Sequence, residues 1–330
     1  MVAIFHRYSS KYWHFAENGN SKKRPIAVSI PHPFREMRVQ DGVLKYGFVG
    51  PALIFLIAFN IFPLFYNIYL SFTDAELSGG IAQLVGGRNY GVIFDDTRYG
   101  TALRTTGLFV VLAVATELLL GFALALALQK PFWGKPAITT ILLVPMMLSP
   151  AVMGLYWNFI LNGHYGVVNQ ALSVFGLYQP QWLTDPDLKL FSILMIDIWM
   201  WTPFMMLIAL AGLNAIPNHL YEAAAIDRAS RWTVFRRITL PLCSPLLFLA
   251  VLLRTTDALK QFDLVMAVTG PNDRATQTLS ALLYQVMFRG YKIGLGSSYS
   301  IVILLIVIAL ATIFIRYITS IQAKQGRESA

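Results

Sequence analysis

The chain has 330 residues, of which 56% are hydrophobic and 13% charged, with a mean hydropathy of +0.57 and a net charge of +9. So apolar a balance excludes an ordinary soluble domain and points to an integral membrane protein. The positive charge calls for no nucleic-acid partner, because anionic membrane lipid attracts basic residues at the inner surface.

In chain order, residues 1–42 carry scattered Lys, Arg and His with no apolar run of signal-peptide type, and they predict a basic cytoplasmic tail. Pro25, Pro31 and Pro33 among basic residues mark a linker or surface-lying arm. A hydrocarbon core about 30 Å thick takes roughly 20 apolar residues per helix. Six segments within residues 43–330 meet that length: Tyr46 to Thr73, Thr105 to Gln129, Ala137 to Leu161, Leu190 to Leu213, Leu242 to Val268, and Tyr299 to Ile315. The expected fold is therefore an all-α integral membrane protein with six spans. KPFWGKP between the second and third spans predicts a tight helical hairpin on the inner side. The stretches Asp74 to Arg104 and Asn162 to Lys189 are expected to fold into short helices on the outer side.

Lys and Arg fall mainly in the tail, at Lys130 and Lys135, at Arg228, Arg231, Arg236 and Arg237, and after Arg316. Basic residues are retained on the cytoplasmic side, so both termini are expected there, in a bacterial cytoplasmic (inner) membrane. Cys243 is the sole cysteine, which leaves no disulfide framework or Cys-based metal site and reads as a small packed residue.

Between the fourth and fifth spans, residues 217–241 break the apolar pattern. Pro217 and Asn218 mark a turn, EAAAIDRAS is a run of helix formers with Glu222 placed at the positive end of a helix, and TVFRRITL resumes until Pro241. The expected product is a helix-turn-helix along the inner membrane face whose alanines leave a nearly bare ridge for a partner's groove. A bland interfacial loop with snorkelling arginines is the competing reading. The order Glu222, Ala223, Ala224, Asp227, Ala229, then Ile238, Leu240 and Pro241, resembles the EAA signature of the membrane subunits of bacterial binding-protein-dependent ABC importers. WMWTPF at Trp199 to Phe204, TTILLVPMMLSPAV around Pro145 and Pro150, and TTDALKQFDLVMAVTGP from Thr255 to Pro271 are similar to the carbohydrate-uptake, maltose-type branch.

The resemblance implies a permease subunit of an ATP-driven importer for a sugar, an oligosaccharide and conceivably an acidic one. Glu222, Ala223, Ala224, Asp227, Arg228 and Ala229 would then form the cytoplasmic coupling helix that docks on an ATPase. The implied partners are a second homologous permease forming a heterodimer, two copies of an ABC ATPase, an extracytoplasmic solute-binding protein and membrane lipid. The chain has no G-x-x-x-x-G-K-[ST] loop, so it carries no cofactor of its own, and ATP belongs to the partner subunit. It is not itself expected to be an enzyme. One departure stands out: Arg228 occupies a position that is usually Gly in the family, which in a left-handed turn costs about 1 kcal/mol.

Ionisable residues inside spans mark a pathway or a structural pair. Glu117, Asp197 and the series Arg254, Asp257, Lys260, Asp263 are the cases here. The series spacing suits either a self-paired ladder bracing the bundle or a polar wall. Asp197, Trp201 and Phe204 fall on one helical stripe, and Arg254, Asp257, Ala258 and Gln261 on another. The resemblance implies that these two spans line the substrate path, leaving Asp197, Trp201, Phe204, Arg254, Asp257 and Gln261 as its candidates, with Arg254 raising the prospect of an acidic sugar. No metal site is expected. An ion-gradient-driven secondary transporter is the alternative, since it too would show several spans with buried charge.

Overall fold

The computed structural model describes residue 47 and residues 49–328, in two units, Met1–Asn60 and Ile61–Ala330. The expected tail, residues 1–42, and the start of the first span lie outside the described residues. Among the described residues, five helices are long and apolar enough to cross a membrane: α1 (Val49–Ser71), α3 (Thr97–Leu128), α7 (Pro186–Asn214), α9 (Arg231–Ala258) and the membrane-length part, Ile293–Tyr317, of α12 (Ile293–Glu328). Shorter helices are α2 (Arg88–Asp95), α4 (Lys135–Leu143), α5 (Pro150–Ile160), α6 (Val167–Val174), α8 (Asn218–Ile226), α10 (Asp263–Val268) and α11 (Leu279–Tyr284). Among the described residues the sole β contact is a bridge between Thr73 and Leu84.

The caps explain several starts. Asp96 accepts a hydrogen bond from the Arg98 amide at the head of α3, which places that helix's beginning a full two turns before the expected Thr105. The same side chain is forked by the Arg98 guanidinium, which holds its carboxyl below the usual carboxylate range. Asp185 caps α7 with Pro186 in its first turn, and Ser230 caps α9 through the Thr233 amide.

Where one continuous span was expected from Ala137 to Leu161, two helices stand in tandem. Pro145 removes the amide that would serve the Ile141 carbonyl, and the turn it opens is a 3₁₀ turn, Pro145–Met147. Ser149, preceding Pro150, is driven to extended backbone (φ −65°, ψ 129°), so α5 begins anew. The first piece and the 3₁₀ turn pack against α7, whereas the second lies mainly on α10, where Gly154 faces Ala267, and touches α7 through Trp157 and Trp199. Leu142 and Leu143 pack on the cluster of Leu213, Ile216 and Cys243, Trp157 meets Trp199 at 5.6 Å between ring centroids, and Leu161 joins Ile193. The fifth expected segment is also shorter than predicted. Its helix ends at Ala258, the Lys260 and Gln261 amides fold back three residues to Asp257 and Ala258, and helix resumes only at Asp263.

Packing between the long helices uses small residues, as it must where lipid offers no hydrophobic contrast. Ala113, Ala125, Ala209 and Ala250 are fully buried, and Cys243 packs with Sγ toward the Ala209 carbonyl. At Gly121 a Cβ would stand 2.6 Å from Met205 Cβ and 2.8 Å from the Met206 amide nitrogen, so α3 and α7 touch backbone to backbone there. Gly121→Val is expected to lower stability by about 1–3 kcal/mol through this overpacking. An unchanged thermal midpoint in detergent would contradict so close an approach.

The described part of the first unit is helical, with Phe55 and Phe59 rings 4.5 Å apart and apolar side chains such as Ile54 exposed. In the second unit three clusters stack along the long helices. Ile93, Leu279, Leu282 and Tyr299 lie toward one end, Leu128, Leu213, Ile216 and Cys243 toward the other, and Phe109, Ile193, Met200 and Leu264 between them.

Candidate functional site

Two places draw together the residues singled out in the sequence. The first is the loop after α7. α8 starts at Asn218, so Glu222 sits in its second turn rather than at the helix start, and the expected dipole contact is absent. The helix ends in a Schellman arrangement: the Arg228 amide donates to Ala225 O at 3.1 Å and the Ala229 amide to Ala224 O at 2.9 Å. That geometry requires a left-handed residue between them, and Arg228 takes it with φ +51°. The arginine therefore carries the strain that a glycine would relieve. Arg228→Gly is expected to stabilise the loop by about 1 kcal/mol, seen as a raised unfolding midpoint of the purified chain; a lowered midpoint would mean that the side chain holds a contact worth more than the strain.

Ala224 is buried against the bundle, while Glu222, Ala223, Asp227 and Arg228 are exposed and Ile226 is 82% exposed. The second half of the insert differs from the expectation of a separate helix closed by Pro241. α9 runs from Arg231 straight through Pro241 into the bundle. A π-helical turn, Phe235–Thr239, makes room, with the Leu240 amide donating to Phe235 O just ahead of the proline. Trp232 stacks on Phe235 at 5.5 Å, and Phe235 meets Phe122 of α3, so the insert is braced on α3.

The second place is a buried ion cluster. Arg254 of α9 is 1% exposed and lies between Glu117 of α3 and Asp197 of α7, both fully buried. Its Nε donates to Glu117 Oε2 at 2.8 Å, its Nη2 donates to Glu117 Oε1 at 3.0 Å, and Nη2 also donates to Asp197 Oδ2. Gln261 Nε2 donates to the other Asp197 oxygen at 2.8 Å. The Trp201 ring covers the guanidinium at 5.1 Å, and Phe204 meets Trp201 edge-on at 6.2 Å. Asp257, whose side chain is 54% exposed, reaches Arg254 Nη1 at 3.8 Å.

The other five candidates thus gather around the Arg254 guanidinium, Phe204 by way of Trp201 and Gln261 by way of Asp197. Gln261 arrives there by the turn after α9 rather than on the helix itself. Arg254 and Asp197 are enclosed by the bundle, and Trp201, Phe204, Asp257 and Gln261 retain exposed surface. Of the expected charge series only Arg254 and Asp257 pair; Lys260 and Asp263, beyond the helix end, form no ion pair within 4.0 Å among the described residues. Glu117 was visible as a costly intramembrane acid, but its partner lies 137 residues away. No group of three or more potential metal-ligating side chains occurs among the described residues.

Comparison with known proteins follows the same lines. A family model described as binding-protein-dependent transport system inner membrane component matches residues 117–325. The trehalose/maltose transport system permease protein MalF of Thermococcus litoralis is 32% identical over 85% of this chain and 95% of its own length. The sulfoquinovosyl glycerol transport system permease protein SmoG of Agrobacterium fabrum is 31% identical over 88% and 94%. Among solved structures, a chain of a bacterial ABC transporter involved in the import of the acidic polysaccharide alginate superposes with a TM-score of 0.76, at 21% identity, over 87% of this chain and 98% of that one.

Proposed function

The chain belongs to the family of binding-protein-dependent transport system inner membrane components, and from that premise we propose that it is the permease subunit of an ABC importer for an oligosaccharide, acidic ones included. The names of its relatives support the substrate class: trehalose or maltose for one, and a sulfonated sugar glycoside for another. The path would form between this chain and a second, similar permease, as an interface between two related halves. ATP bound by a pair of partner ATPases would draw the α8 loops together and open the path outward to a solute-binding protein, and hydrolysis would reset it.

The observation that carries the coupling reading is the exposed face of α8, where Ala223 and Ala225 leave small gaps beside Glu222 and the exposed Ile226, with Asp227 and Arg228 exposed at the turn that follows. Such gaps let another backbone come close, and the Schellman turn fixes where the helix end points. At the buried cluster, Trp201 and Phe204 offer ring faces for a sugar to stack on, and Asp257 and Gln261 offer acceptors and donors to hydroxyls. Arg254, Asp197 and Glu117 would hold that face in place from behind.

For the membrane topology we take α4 and α5 together as one crossing, because they lead from the cluster around Leu213 to the cluster around Ile193. With the five long helices this makes six crossings, and both termini then fall on the cytoplasmic side with α8, in line with the excess of Lys and Arg there. Copurification from native membranes in mild detergent, with mass spectrometry of what remains bound, tests the assembly. An ATPase and a second permease are expected. Recovery of this chain alone, still able to move a sugar, would favour an ion-driven carrier instead.

A further inference from the structure

A cavity of about 670 Å³ lies between Phe62–Ser71 of α1, α11 with the π-helical turn that extends it, and α12, with Lys260 and Phe262 from the turn after α9 in its wall. Lys260 stands level with Leu304 and Val307 of α12, two residues that lie within about 3 Å of the midpoint of the membrane-length stretch Ile293–Tyr317 at 1.5 Å per residue. Its neighbour Leu259 packs in the same core cluster as Val307 and Leu310. Lys260 is exposed, and its ammonium makes no hydrogen bond or ion pair within 4.0 Å among the described residues. Asp257, close to it in sequence, faces Arg254 Nη1 instead, at 3.8 Å.

A cation without a counter-charge is costly against hydrocarbon at that depth, and by its cost it marks a pathway. It is also out of reach of lipid phosphate, which lies about 15 Å away, half the thickness of a hydrocarbon core of about 30 Å. Arg254 cannot read a passing anion, because it is 1% exposed and its Nε and Nη2 are held by Glu117 and Asp197. Resting on the sugar-importer reading, we propose that Lys260 is the residue that reads the charge of an acidic sugar. Its ammonium holds the carboxylate of a uronate residue lodged in this cavity and so favours acidic over neutral oligosaccharides.

The rest of the wall suits a sugar. Ser280 and the pair Asn67–Ser300, joined by Asn67 Nδ2 donating to Ser300 Oγ at 2.7 Å, line it with hydroxyl and amide groups. Phe262, Tyr284 and Phe288, with successive ring centroids 5.3 and 5.4 Å apart, give it an aromatic side on which a pyranose face can stack. The volume lies within the roughly 300–1,000 Å³ of small-molecule sites.

The test uses the copurified complex in proteoliposomes with ATP and its solute-binding protein, offered a uronate trisaccharide and a neutral trisaccharide in competition. The binding protein is the same in every arm, so a change in the uptake ratio between variants reports the membrane path. Lys260→Arg is expected to keep the wild-type ratio of uronate to neutral uptake. Lys260→Gln should lower it roughly tenfold, the size of a charge-assisted hydrogen bond. An unchanged ratio in Lys260→Gln, or an equal fall for both sugars, would overturn the proposal. Loss of the second permease from the Lys260→Gln complex would make the lysine a counter-charge to a protein carboxylate and overturn it too. Wild type that carries the neutral sugar and no uronate would overturn it while leaving the importer reading intact; wild type that carries neither with ATP would bring down both.

Discussion

Arg254→Ala is expected to destabilise the protein by about 3–5 kcal/mol, the cost of breaking a buried ion pair and leaving its partners charged. The geometry accounts for an effect of this size. One guanidinium serves two fully buried carboxylates, Glu117 and Asp197, from two different helices, so its removal leaves both without their cation and separates three spans at once. Thermal unfolding of the purified chain in detergent measures the effect. A loss below about 1 kcal/mol would place the cluster in contact with water, where ion pairs are worth that little.

A triple replacement, Glu117→Leu with Asp197→Leu and Arg254→Met, separates bracing from function. Apolar residues of similar volume replace a buried ionic cluster at little cost and sometimes with gain, so stability should return to near the wild-type value. If the cluster holds the sugar face in place, uptake should still fall by about tenfold or more, since 1.4 kcal/mol of lost positioning is tenfold. Full uptake by the triple variant would leave the cluster a brace alone.

Glu222→Lys is expected to abolish coupling while leaving the fold intact. Glu222 is exposed on α8 and makes no hydrogen bond or ion pair among the described residues, so the bundle loses nothing when it is reversed. A partner surface built for a carboxylate would meet an ammonium instead, and like-charge contact at the centre of an interface costs enough to act as a hot spot, about 2 kcal/mol or more. ATPase recovery in copurification should drop more than tenfold and sugar uptake with it. Normal uptake by this variant would sever α8 from coupling. An ion-driven carrier would be indifferent to the change.

Much of this was legible in the residues. Five long helices follow from apolar length alone, and Cys243 was recognisable as a packed residue because a lone cysteine has no partner to bridge. Arg228 could be flagged from its place after Asp227, and its φ of +51° shows that the turn is kept and strained rather than rebuilt. The break in the third segment was also written in the chain, at Pro145 and Pro150, but an average of hydropathy counts neither amides nor backbone angles: Pro145 removes an amide, and Pro150 drives Ser149 to extended backbone. The early start of α3 was signalled by Asp96, a capping residue two turns ahead of the apolar run.

Other features had no local signal. Nothing between Ala258 and Asp263 is a proline or glycine, so the turn that breaks the charge series and delivers Gln261 to Asp197 depends on tertiary contacts, among them the Thr278 hydroxyl donating to Gln261 O at 2.8 Å. The pairing of Glu117 with Arg254 joins residues far apart in sequence, and helical periodicity relates only neighbours on one helix. The π-helical turn before Pro241 likewise turned an expected pair of helices into one short helix and a continuous span.

The central claim is that this chain moves sugar with the energy of ATP spent by a partner. The most direct measurement is uptake of radiolabelled neutral and uronate oligosaccharides into proteoliposomes containing the copurified complex and its solute-binding protein, with ATP supplied on the cytoplasmic face or with an ion gradient alone. Uptake that requires ATP, requires the binding protein and is lost in Glu222→Lys is the predicted result. Uptake that follows the ion gradient without ATP would contradict the account.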